Sequence, residues 1–181
     1  MVKPLPRPRA IAVLIGAPGS GKTKTGKRVA KALGVPFIDT DKVVVAEHGP
    51  ITEIFEREGE AAFRAYERTA VARALRERAI VSLGGGAVLD AATQRDLVGL
   101  TVVQLTVTRE GIEERLAEEP GAVEKRPLLR DGGVDAWERL VAARRPLYES
   151  LATVSFDTSH RPFEAIAADV AAWLRDRMED E

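Results

Sequence analysis

Cysteine is absent from the chain, which removes disulfides, thiolate metal sites and cysteine nucleophiles at once. Histidine occurs only at His48 and His160, neither within a partner pattern, so both read as surface or packing residues. Charge of one sign is missing too. With 27 Lys and Arg against 28 Asp and Glu, nothing in the balance points to nucleic acid or an anionic membrane. No run approaches the ~20 apolar residues needed to cross a bilayer. Lys3, Arg7 and Arg9 ahead of the apolar stretch from Ala10 to Ala17 imitate a secretion signal. That stretch runs straight into a glycine loop that has to be retained, so a cytoplasmic enzyme is expected.

What is present fits one domain with an inserted flap or lid: 181 residues, 45% hydrophobic and 30% charged. Residues 1–9, rich in proline and basic side chains, read as a disordered lead-in to a single domain over 10–181. Short apolar runs then alternate with amphipathic stretches, the pattern of a parallel α/β sheet. Five strands are predicted over 10–15, 35–39, 79–83, 101–107 and 153–156, each covered by helices on both faces. Helices are predicted over Lys22 to Leu33, over Glu60 to Arg78, and after Pro162. The last of these places Phe163, Ile166, Val170 and Trp173 on one stripe, read as core. Two stretches break the alternation. Asp41 to Gly59 reads as a helical insertion interrupted at Gly49-Pro50, and Glu118 to Gly133 is polar, loop-like and basic in its middle.

The segment Gly16-Ala17-Pro18-Gly19-Ser20-Gly21-Lys22-Thr23 matches GxxxxGK[ST] in full, after an apolar run and at the start of a helix. Gly19, Ser20 and Gly21 let backbone N–H groups converge on phosphate oxygens, helped by the helix N-terminus. Lys22 is then placed to reach the β- and γ-phosphates, and the Thr23 hydroxyl to ligate magnesium. The predicted second strand ends in Asp39-Thr40-Asp41. Two residues apart on a strand, both carboxylates face one region at the carboxyl end of the sheet, where open α/β folds bind ligands. The third strand lacks an acid, so Asp39 is the expected magnesium partner, through water. Asp41 is left for the acceptor hydroxyl. A simple turn cap is the plainer reading of the pair.

Gly59-Glu60, Phe63-Arg64 and Glu67 follow, then Gly84-Gly85-Gly86-Ala87-Val88, Arg126-Pro127-Leu128-Leu129 and Arg144-Arg145-Pro146-Leu147-Tyr148. With the phosphate loop and the Asp-Thr-Asp, this ordered set resembles shikimate kinase from about Ala10 to about Arg161. The resemblance implies a P-loop NTPase-type three-layer fold: a five-stranded parallel sheet, a helical acceptor flap over about 41–67 and a mobile lid over about 118–133. It implies a monomer that moves the γ-phosphoryl group of ATP, with Mg2+, to a hydroxyl of shikimate, a step of chorismate and aromatic amino acid biosynthesis. By the same resemblance Arg64 and Arg144 clamp the substrate carboxylate, which suits the guanidinium fork. Glu67, at i+3 from Arg64, steadies it, although a structural ion pair is the plainer reading. Gly85 and Gly86 line the acceptor pocket, Arg115 lies against adenine, and Arg126 closes over the transferring phosphoryl group. The chain departs from the family pattern at Val45, where an acid is usual, and is about one residue short near His48-Gly49-Pro50.

Lys22, Asp41 and Arg126 are thus the expected catalytic groups. Two rivals remain: a kinase of the same fold for another small hydroxylated acid such as gluconate, and a non-catalytic nucleotide switch. A nucleic-acid kinase is more distant, given the balanced charge.

Overall fold

Ala12, Val13, Leu14 and Ile15 alternate between two separate cores, and that alternation lays down the architecture. The computed structural model describes residues 9–118 and 132–179. Its sheet is built from β1 (Ala12–Ile15), β2 (Phe37–Asp39), β3 (Ile80–Ser82), β4 (Val102–Thr106) and β5 (Val154–Asp157). The strand order is β2-β3-β1-β4-β5, and every pairing is parallel. All five predicted strands are present, each trimmed by a residue or two or shifted at an end. The three central strands are almost wholly buried, whereas the edge strands β2 and β5 are only partly covered. Coverage of every strand on both faces was therefore too strong an expectation, since an edge strand has a neighbour on one side only.

Ala12 and Leu14 meet Val29 and Ala30 of α1 (Lys22–Leu33) and Ile166, Val170 and Leu174 of α8 (Phe163–Glu179). Val13 and Ile15 meet Val71 and Ala74 of α4 (Glu60–Ala74), Leu97 of α5 (Ala91–Leu97) and Tyr148 of α7 (Gly133–Leu151). Helix, sheet and helix stack as three layers; each Val, Leu or Ile taken out of water contributes about 1.5–3 kcal/mol. The stripe predicted on α8 is real at Ile166 and Val170, while Trp173 is half-buried. Phe163 departs from it, standing at the helix start in the wall of the main cleft.

Between β2 and β3 the chain makes α2 (Thr40–His48), α3 (Ile51–Glu58) and α4. The break at Gly49-Pro50 falls where predicted, and α4 stops at Ala74, four residues before Arg78. Val44, Ile54, Phe63 and Ala70 give this group its own small core. His48 stacks flat on Tyr66, ring centroids 3.6 Å apart, which joins α2 to α4. After β4 comes α6 (Arg109–Glu118). Arg126, nearly all of the expected lid and nearly all of the expected lead-in lie outside the described residues. Among the described residues, no helix is long and apolar enough to cross a membrane.

Candidate active site

The loop after β1 curls over the first turn of α1. Gly21 takes φ 89° there, in the left-handed region where a side chain would be strained. It has no room for one either, because an added Cβ would come within 2.2 Å of the Phe163 ring. Lys22 Nζ donates to the Gly16 carbonyl at 2.8 Å and to the Ala17 carbonyl at 3.0 Å, so the ammonium lies along the loop. Burial lowers its pKa to about 8, against the pull of Asp41 and Asp39 and with a small push from Arg144. An arriving polyphosphate would restore the full charge. Ser20 is buried; its N–H closes a turn onto the Ala17 carbonyl at 3.1 Å, and its own carbonyl accepts from Thr158 Oγ1 at 2.9 Å.

Asp39 does two jobs at the end of β2. Its Oδ1 caps α2 by accepting from the N–H groups of Asp41 and Lys42, at 3.1 and 3.3 Å, and its Oδ2 accepts from Thr23 Oγ1 at 2.7 Å. The plainer reading, a cap, holds for Oδ1, while Oδ2 of the same carboxylate stands with the Thr23 hydroxyl in the cleft. Asp41 sits in the first turn of α2, not on the strand, so the alternation argument put it in the right region for the wrong reason. Burial raises its pKa, Asp39 adds to the rise, and Lys22 and Arg64 offset it, which makes it a better base than an exposed carboxylate. The intervening Thr40 was not singled out from sequence. Buried, it donates from Oγ1 to the Ser82 carbonyl and accepts from the Gly84 N–H, both at 3.3 Å, so the ends of β2 and β3 are joined.

The glycine loop after β3 brings together the side chains expected to meet the acceptor. A Cβ on Gly84 would lie 2.5 Å from Asp41 Oδ1 and 2.8 Å from Glu67 Oε1, and one on Gly86 would lie 2.6 Å from Arg64 Nη1. Arg64 Nη1 donates to Glu67 Oε2 at 2.7 Å, and its Nη2 approaches Glu60 at 3.5 Å. Burial pulls the guanidinium pKa down, but Glu67 and Glu60 outweigh it and hold Arg64 charged. Glu67 itself is raised by burial, partly offset by Arg64. Val45, where the family pattern has an acid, is 41% exposed and faces the cleft. The nearby Glu47 is engaged with Arg73 instead, so Arg64 takes both of its carboxylates from α4. The positive charge of Arg144 acts on Lys22, Glu67 and the Tyr148 phenol.

On the opposite side Arg115 of α6 donates to the Gly19 carbonyl at 2.7 Å and to both oxygens of Thr158, and lies 4.8 Å over the Phe163 ring. Thr158 was not picked out from sequence, and Phe163 was read as core; an Asp-Thr at the end of the last strand, with an aromatic opening the last helix, was the available signal. A cleft of about 910 Å³ gathers Gly19, Gly21, Lys22, Thr23, Asp39, Asp41, Gly85, Arg115 and Phe163. Arg64, Glu67 and Gly86 line a second cavity of about 260 Å³. Among the described residues no three His, Cys, Asp or Glu cluster to hold a metal. Thr23 and Asp39 offer two hard oxygens, a set that suits an ion drawing its other ligands from phosphate and water.

A chain with these features has close relatives. The sequence model of the family described as shikimate kinase matches residues 18–175. The shikimate kinase of Salinispora tropica is 46% identical over 166 residues, covering 91% of this chain and 97% of the relative. That of Thermobifida fusca is 43% identical over 160 residues, covering 87% and 91%. The solved shikimate kinase of Acinetobacter baumannii, in complex with shikimate, superposes with a TM-score of 0.83 at 28% identity, covering 94% of each chain. On the family match, the identities and the shared three-layer architecture together, the chain belongs to the shikimate kinase family.

Proposed function

We propose that the chain transfers the γ-phosphoryl group of ATP to a hydroxyl of shikimate. The observation that carries this reading is the convergence of a full phosphate loop, a half-buried Asp41 and the Arg64–Glu67 pair about one glycine loop. ATP lies with its phosphates on Gly19, Ser20 and Gly21 and its base beside Arg115 and Phe163. Arg64 and Arg144 hold the acceptor carboxylate, with Gly85 and Gly86 as the floor of its pocket. Asp41 orients the acceptor hydroxyl and takes its proton as the oxygen attacks the γ-phosphorus in line. Lys22, and Arg126 as the family resemblance implies, oppose the charge spreading over the phosphoryl oxygens. Mg2+ suits Thr23 and, through water, Asp39; when bound it neutralises charge on the nucleotide phosphates. The enzyme is assigned as a monomer of the cytoplasm, as the family resemblance implies.

ADP release from MgATP, measured with shikimate, gluconate or quinate, tests the reading. Stimulation by shikimate alone is expected. Equal stimulation by gluconate would move the acceptor assignment to the rival kinase, and no stimulation by any acid would favour the nucleotide switch.

A further inference from the structure

Helix α7 opens at Gly133 and sets Trp137, Val141, Arg144 and Tyr148 at i, i+4, i+7 and i+11, a single stripe about 16 Å long. Two members of that stripe are aromatic, only 2% exposed, and spend their one polar donor on a ligand loop. Trp137 Nε1 donates to the Pro18 carbonyl of the phosphate loop at 2.8 Å. The Tyr148 hydroxyl donates to the Gly85 carbonyl of the glycine loop at 2.6 Å. Pro18 and Gly85 are themselves in contact, since a Cβ on Gly85 would stand 3.1 Å from Pro18 Cδ. Arg144 lies between the two rings on the stripe, and its charge reaches the Tyr148 phenol.

A helix that merely filled a core would present apolar side chains here, because burying an indole N–H or a phenol is favourable only if it finds a partner. Both donors find one, and both partners are main-chain carbonyls of loops to which the proposed function gives a substrate each. A carbonyl fixed by a buried donor holds its peptide plane, and with it the direction of the neighbouring N–H groups. We propose that Trp137 and Tyr148 are positioning residues, one for each substrate: Trp137 holds the phosphate loop for the nucleotide, and Tyr148 holds Gly85 and Arg144 for the acceptor. The Tyr148 half rests on the acceptor reading above; the Trp137 half needs only the phosphate loop.

The test is equilibrium binding, which does not depend on turnover, of shikimate and of a non-hydrolysable ATP analogue to the full chain. Tyr148→Phe keeps the ring and removes the donor. It is expected to weaken shikimate binding about tenfold while leaving the analogue within about twofold. Trp137→Phe is expected to do the reverse. Melting curves of both variants, run alongside, separate positioning from bulk stability. Variants that melt earlier but keep both affinities, or that lose both affinities together, would make the aromatics ordinary core residues and overturn the proposal. Wild-type protein that binds the analogue but not shikimate would sink the acceptor reading and the Tyr148 half with it, while the Trp137 comparison would still decide its own half.

Discussion

At the scale of single residues, the proposed acceptor side turns on Arg64. Its two carboxylate partners, Glu67 at 2.7 Å and Glu60 at 3.5 Å, fix the guanidinium against Gly86. Arg64→Ala should raise the KM for shikimate roughly 10- to 100-fold, the worth of a lost charge-assisted pair, with the KM for ATP unchanged. Steady-state kinetics with each substrate varied checks it. Glu67 adds a pH signature. Because burial raises its pKa in the folded protein, the folded state keeps that proton to higher pH than the unfolded chain. The stability this group contributes is present at acid pH and falls as pH rises through the folded value. The stability gap between wild type and Glu67→Gln should therefore move against the wild type as pH climbs from the ordinary carboxylate range. Denaturant titrations at a series of pH values would follow it. A gap moving the other way would mean that the Arg64 ion pair outweighs burial. The i+3 spacing made the Arg64–Glu67 pair legible in the sequence. Thr158 was not, and Phe163 was read as core, because their partners at Ser20, Gly21 and Arg115 are more than 40 residues away in the sequence.

At the scale of elements, the joints between strand ends and loops set the site. Thr40 joins β2 to the glycine loop after β3 with two hydrogen bonds, both buried. Thr40→Val keeps the shape and removes both, leaving the Ser82 carbonyl and the Gly84 N–H short of a partner. The expected loss is about 1–3 kcal/mol, read from the urea midpoint at unchanged slope. Elements were the best-read level in the sequence. All five strands and the Gly49-Pro50 break were visible because parallel strands are short apolar runs and because Gly and Pro punctuate. Asp41 was placed on a strand because alternation is blind to a cap: Asp39 starts α2 one residue earlier than the apolar pattern suggests. The stripe on α8 misled at Phe163 for a related reason, since the first residue of a helix can leave the core face and enter a ligand wall.

At the scale of the whole molecule, nucleotide binding and stability are linked. The phosphate loop grows from the central strand β1, so a ligand that orders it draws on the same two cores that hold the sheet. MgATP at a hundred times its Kd should stabilise the fold by about 2.7 kcal/mol, a rise of roughly 5–11 °C in Tm for a chain of this size. Lys22→Met should abolish turnover and remove most of that rise; a variant that kept the full rise would show that Lys22 contributes little to ground-state binding. The position of β1 has a further consequence. Most residues proposed to face the acceptor follow β2 and β3 on one side of it, with Arg144 of α7 joining them from the other; Arg115 and Phe163, proposed to face the base, follow β4 and β5. The fold is thus modular along a seam, with a phosphate-handling half that can stay constant while its companion is rewritten. Exchanging residues 40–97 for those of a related enzyme should transplant the choice of acid, provided the graft still offers Tyr148 a carbonyl to meet.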